Sequence, residues 1–156
     1  MAKTKAGKAN PRANVAKCDE GAPLTAEQKP LPKSMTDKPV DSKSPAHWAY
    51  ERLILYIQNF EEQLDNEHEV AMGFVGGDAG VLRIEGIGYF DPDLVTFYGT
   101  DGQGTKTQLI QHVSQLNVML RALTRPESEE KPNRIGFRLA ADMEKADAET
   151  DDEAEG

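Results

Sequence analysis

His47, His68 and His112 are the only imidazoles in this chain, and Cys18 is its only thiol. A metal site needs several ligands converging, often as a His-x3-His pair on one helix face. The three histidines are isolated, so neither a metal nor any other cofactor is expected. Ser114 lies two residues from His112. On the helix expected there, about 200° would separate their side chains, and they could not pair. No Gly-x-Ser-x-Gly elbow exists, and Cys18 has no fixed base nearby to lower its pKa. Asp91 and Asp93 bracket a proline, which is turn chemistry. Asp101-Gly102-Gln103-Gly104 lacks the full ligand pattern of a calcium loop. Gly76, Gly77 and Gly80 lack the Gly-Lys-Ser/Thr ending of a phosphate loop. Glu61 falls within an apolar helical arc, between Ile54 and Ile57, so it must be paired, hydrogen-bonded or at a rim. Rim placement, with the chain reaching out to water, is the expectation. No catalytic residue is assigned. An enzyme reading would require His112 and Glu61 to line one pocket.

The elements that position these residues follow from periodicity. Ser44-Pro45 reads as an N-cap followed by the first helical position. Tyr50, Leu53, Ile57, Phe60 and Leu64 then form one stripe of a helix over 45–65. Trp48 and Leu55 lie about 140–160° from Tyr50 on that helix, nearly opposite the stripe. Glu51, Arg52, Asn59 and Glu62 surround them. An apolar pair framed by charge resembles a small interface core with a polar rim, so Trp48, Arg52 and Leu55 are the candidate partner-binding residues. The competing reading covers Trp48 with the incoming arm of the same chain.

Alternation predicts strands over 67–75, 81–90, 94–100 and 106–110. A bulge near Gly86 and Gly88 explains the slip between Leu82/Ile84 and Ile87/Tyr89. Leu109, Val113, Leu116, Leu120 and Leu123 predict a second helix over 111–123, and Ile135, Phe137 and Leu139 predict a last strand over 134–140. The expected order is helix, four strands, helix, strand. One-sided helices must bury their stripes on the sheet, which makes a two-layer α+β sandwich with a mainly antiparallel sheet.

Charge divides the 156 residues into three parts. Residues 1–45 carry net +4, 46–140 carry −6 and 141–156 carry −7. The Lys/Pro-rich arm, 1–43, and the acidic tail, 141–156, are expected to be disordered around one domain, 44–140. The acidic block disfavours a general grip on phosphate backbones. Met1 to Lys17 holds five cations and no acidic residue, so the arm is a possible nucleic-acid contact, though without aromatics to stack on bases. No secretory signal and no membrane span is expected, which points to the cytoplasm.

Trp48-Ala49-Tyr50-Glu51-Arg52-Leu53, then Gln108-Leu109-Ile110-Gln111-His112-Val113-Ser114-Gln115-Leu116, then Arg134-Ile135-Gly136-Phe137, together resemble a small family of uncharacterised bacterial proteins catalogued as a domain of unknown function. The resemblance spans the block and implies a bacterial origin; it brings no activity. The leading functional expectation is a non-enzymatic module that binds a protein partner or itself. A nucleic-acid accessory protein using the arm, and an enzyme near His112 and Glu61, are the alternatives.

Overall fold

The computed structural model describes residues 12–17, 21–36, 39, 42–74 and 80–146, the Ser34 side chain excepted, and the backbone of 147–154. Cys18, the first eleven arm residues and the Gly76-Gly77-Asp78-Ala79 turn lie outside the described residues.

Residues of the arm form a 3-10 turn, Ala26–Gln28, and a single helical turn, α1, Lys33–Thr36. The long helix α2 spans Pro45–Glu62. Its cap is the expected one: Ser44 Oγ accepts from the His47 N–H at 3.0 Å, and Pro45 occupies the first turn. Ser44 Oγ also donates to Asp91, and the Ala46 N–H donates to the Pro92 carbonyl at 3.0 Å, fixing the helix start on the sheet.

Five strands follow: β1, His68–Phe74; β2, Val81–Phe90; β3, Leu94–Thr100; β4, Lys106–His112; β5, Val118–Thr124. All pairings are antiparallel, in the order β4-β3-β2-β1-β5. The register shifts between Ile84 and Gly86, which is the expected bulge. It returns Ile87 to the face that already holds Leu82 and Ile84, and all three are buried. The last element, α3, spans Ile135–Ala154 and lies against α2 and β2. Helix residues Ala46, Ala49, Ile54, Ile57, Ile135, Leu139 and Met143 close one core with Val70, Met72, Val95 and Phe97 of the sheet. The fold is thus the expected two-layer α+β sandwich, with both helices on one sheet face.

Two elements differ from expectation. The segment read as a helix over 111–123 is the end of β4, a 3-10 turn at Val113–Gln115, and β5. Its 3-and-4 spacing of leucines fits a helix, but β5 pairs with β1 along seven residues, from His68↔Thr124 to Phe74↔Val118. That long-range ladder buries Ala71 and Gly73 of β1 and overrides the local pattern. The segment read as a strand over 134–140 begins α3. Ile135 and Leu139 fit either period, but Met143 continues them at helical spacing, and Phe137 is 69% exposed. The helix then runs on through residues assigned to the acidic tail.

Candidate functional site

The groups singled out for chemistry fall into separate places. His112 does pair with Ser114, against expectation, because the chain enters a 3-10 turn from a strand there rather than continuing a helix. Nδ1 lies 2.7 Å from Ser114 Oγ and accepts from the Ser114 N–H at 3.1 Å. Nδ1 is therefore the acceptor, and the proton on Nε2 faces Asp93 Oδ2 at 3.2 Å. The three side chains lie on an exposed corner, lining neither cavity described below. Their geometry caps a turn.

Glu61 is buried, 5% exposed, rather than reaching out at the rim. Oε2 accepts from the Gly136 N–H at 3.0 Å and Oε1 from the Phe137 N–H at 3.2 Å, so the carboxylate satisfies orphan donors at the start of α3. Burial pushes its pKa up, and the two N–H donors and Arg134 oppose that shift. Among the described residues, Glu61 and His112 share no hydrogen-bond partner, and neither lines the two cavities described below. His68 faces Asp65 at 2.6 Å, and this contact holds the Asp65 carboxyl below its ordinary range. Among the described residues, no group of three or more His, Cys, Asp or Glu could hold a metal.

The outer face of α2 is different. Trp48 and Leu55 are half-buried there and Arg52 is exposed. What meets them is the arm. Tyr56 Oη donates to Glu27 Oε1 at 2.6 Å, and Lys29 Nζ meets Glu62 Oε2 at 2.6 Å. Met35 is fully buried. Lys43 ties the arm down from below: its Nζ donates to the Met35 carbonyl at 3.1 Å and lies 2.8 Å from Glu51 Oε1. His47 Nε2 approaches the same carboxylate oxygen at 3.1 Å, while its ring stacks on Tyr89 at 4.5 Å. Glu51, expected among the polar rim residues of the Trp48/Leu55 pair, is instead completely buried. Its contact with Lys43 is a close ion pair without hydrogen-bond alignment, and among the described residues Oε2 has no hydrogen-bond partner.

Three cations surround the one indole of the chain. Lys43 Nζ is 5.1 Å, Arg52 Cζ 5.2 Å and Arg12 Cζ 5.7 Å from the Trp48 ring centroid. Between arm and helix lies a cavity of about 630 Å³, with Trp48, Leu53, Leu55 and Leu31 among its apolar walls and Arg12, Arg52 and Glu27 among its polar ones. A smaller hollow of about 270 Å³ under Leu53 and Tyr56 reaches Leu116, Val118 and Leu120.

The Tyr56–Glu27 bond pulls the two groups apart in pKa: hydrogen bonding to Tyr56 lowers Glu27, and the same bond raises Tyr56. Glu27's folded value is depressed, so its stabilisation is present above the ordinary glutamate value of about 4.3 and lost as pH falls through the depressed value. Tyr56's folded value is raised, so its stabilisation is present below the ordinary tyrosine value of about 10 and lost as pH rises through the raised value. Arm closure over Trp48 should therefore be tightest between those limits. Trp48 emission in wild type and Tyr56→Phe checks this. The two should differ across the neutral range and converge at both extremes; identical profiles throughout would show that the bond does not hold the arm.

These features define a two-layer α+β domain whose first long helix has one face in the core and the other under a strap of its own chain. The chain belongs to a family of unknown function, DUF6173, whose model matches residues 41–138. No curated protein and no solved structure matches it. The matched region includes Lys43, Trp48, Glu51, Arg52, Leu55 and Tyr56; the described strap residues, 12–17 and 21–36, precede it. No helix among the described residues is long and apolar enough to cross a membrane.

Proposed function

We propose that the protein is a non-enzymatic interaction module that receives a segment of another protein chain on the outer face of α2, with Trp48, Arg52 and Leu55 as contact residues and Tyr56 beside them. One observation carries this reading: a linear stretch outside the family-matched region is seated on that face through specific side chains, Glu27 on Tyr56 and Lys29 on Glu62. A surface that takes a linear segment of its own chain has the chemistry to take another, in competition with it. Aromatic and arginine anchors with a charged rim suit such contacts. A second copy is one such partner, and the reading places the module in the cytoplasm.

Three of the arm's described cations are engaged within the chain, whereas Lys33 is exposed, and Lys3, Lys5, Lys8 and Lys38 lie outside the described residues. Lys17 donates to the carbonyls of Ala22 and Pro23, Lys29 meets Glu62, and Lys43 meets Glu51.

The test compares wild type with Trp48→Asp/Leu55→Asp, first shown by circular dichroism to be folded. Capture from the native cell extract, read by mass spectrometry, should recover a protein partner with wild type that the variant loses. Sedimentation velocity on both proteins should show whether that partner is a second copy. Partners unchanged by the variant, or none above background, would discard this surface.

A further inference from the structure

The arm covers the outer face of α2 without filling it. What remains is the cavity of about 630 Å³, within the roughly 300–1,000 Å³ typical of small-ligand sites. Its composition is specific. The walls are aliphatic, from Leu31, Leu53 and Leu55, and the Trp48 indole adds an aromatic surface. Arg52 stands beside that indole, its Nε donating to the Trp48 carbonyl at 3.2 Å. Among the described residues no carboxylate pairs with its guanidinium. Burial pulls its pKa down, as for a cation partly withdrawn from water without a counter-charge. Of the neighbouring charges, Glu27 accepts from Tyr56 and Lys43 meets Glu51, while Arg12 adds a second guanidinium to the cavity wall. In a chain of net charge −9, a cationic corner in an apolar cavity is an exception to the overall field.

We propose that this cavity binds an amphipathic carboxylate, its apolar body against Trp48, Leu53 and Leu55 and its carboxylate on Arg52. The chemistry follows from shape and charge: the body removes apolar surface from water, and a guanidinium takes a carboxylate through two parallel N–H donors. An alcohol of equal length offers the same body but no charge to answer Arg52. The site shares its face with the protein-docking reading but requires no protein partner.

Trp48 is the only tryptophan, so its emission reports on this cavity directly. Full-length protein is titrated with decanoate below its micellar concentration, and in parallel with decan-1-ol. Decanoate should give a saturable change, with decan-1-ol binding about tenfold more weakly or worse, a difference of about 1.4 kcal/mol. Arg52→Gln, at an exposed position, should weaken decanoate by at least about tenfold and leave decan-1-ol unchanged. Ala26→Phe, which places a ring into the cavity from the arm side, should abolish binding of both. A decanoate signal that does not saturate, or one equal for the alcohol and for Arg52→Gln, overturns the proposal. So does a silent decanoate titration alongside saturable binding of a synthetic acidic peptide corresponding to residues 139–156; that result would leave the protein-docking reading standing.

Discussion

Lys43→Ala should lower stability by about 3–5 kcal/mol, the range for removing one partner of a buried ion pair. Glu51 is fully buried, and the Lys43 side chain is only 3% exposed. Without the ammonium, Glu51 keeps His47 as its neighbour, but among the described residues Oε2 already lacks a hydrogen-bond partner. The reverse change, Glu51→Ala, should be milder. Lys43 lies just before the Ser44 cap, outside the helix, and on a flexible stem it can swing out to water; Glu51 is fixed in the middle of α2. Replacing both with Met should recover most of the loss, because the dehydration of two charges offsets much of their attraction. Urea unfolding of the two single variants and the double variant checks all three. A Lys43→Ala variant within about 0.5 kcal/mol of wild type, the scatter of ordinary surface changes, would show that the pair does not act as argued.

The same substitution separates stability from arm docking. Lys43 touches three things at once: Glu51, the Met35 carbonyl and the Trp48 ring. It is the joint between the strap and the helix. Its loss should free residues 24–36 from the α2 face as well as expose a charge defect in the core, whereas Tyr56→Phe acts on the strap alone. The two variants thus report on linked but distinct layers of the same site.

Much of this arrangement was legible from residue patterns. The N-cap at Ser44, the two-faced helix and the bulge near Gly86 all follow from spacing and residue type. Trp48 and Leu55 stand out because their helical angles put them opposite the core stripe. Two kinds of feature were not legible. Stretches whose apolar spacing fits both a helix and a strand, 111–123 and 134–140, are decided by partners far away in sequence: β1 for the first, and the Glu61 carboxylate and the packing of α2 for the second. Gly136 shows how tight that packing is, since a Cβ there would come within 2.8 Å of Gln58 Cα. Buried polar contacts across the arm were the other gap. Glu51 looked like a rim residue because Lys43 lies outside the helix and has no periodic relation to it. The His47–Glu51 spacing of four residues was the one local hint of a pair. Tyr56, which the core stripe does not include, is exposed and holds the arm.

Gly99→Ala should be among the most damaging substitutions of a single methyl group in the sheet. Gly99 pairs with Ile84, one residue before the register shift on β2. The bulge brings the Arg83 carbonyl to the place where a side chain at 99 would stand: an added Cβ would lie 2.0 Å from that oxygen, 2.9 Å from its carbon and 3.2 Å from Ile84 Cα. None of these atoms belongs to a flexible side-chain end, so relief requires moving β2 against β3 at the centre of the core, beside the buried Ile84 and Phe97. Overpacking a core usually costs about 1–3 kcal/mol, and a clash with ladder backbone belongs at or above the top of that range. Gly102→Ala is the matched control. It lies in the β3–β4 turn, and a Cβ there meets nothing within 4 Å. Thermal unfolding should show Gly102→Ala close to wild type and Gly99→Ala markedly lower. A Gly99→Ala protein of wild-type stability would mean that the bulge can relax, and that the register of β2 on β3 is less firmly held than the buried Ile84 and Ile87 require.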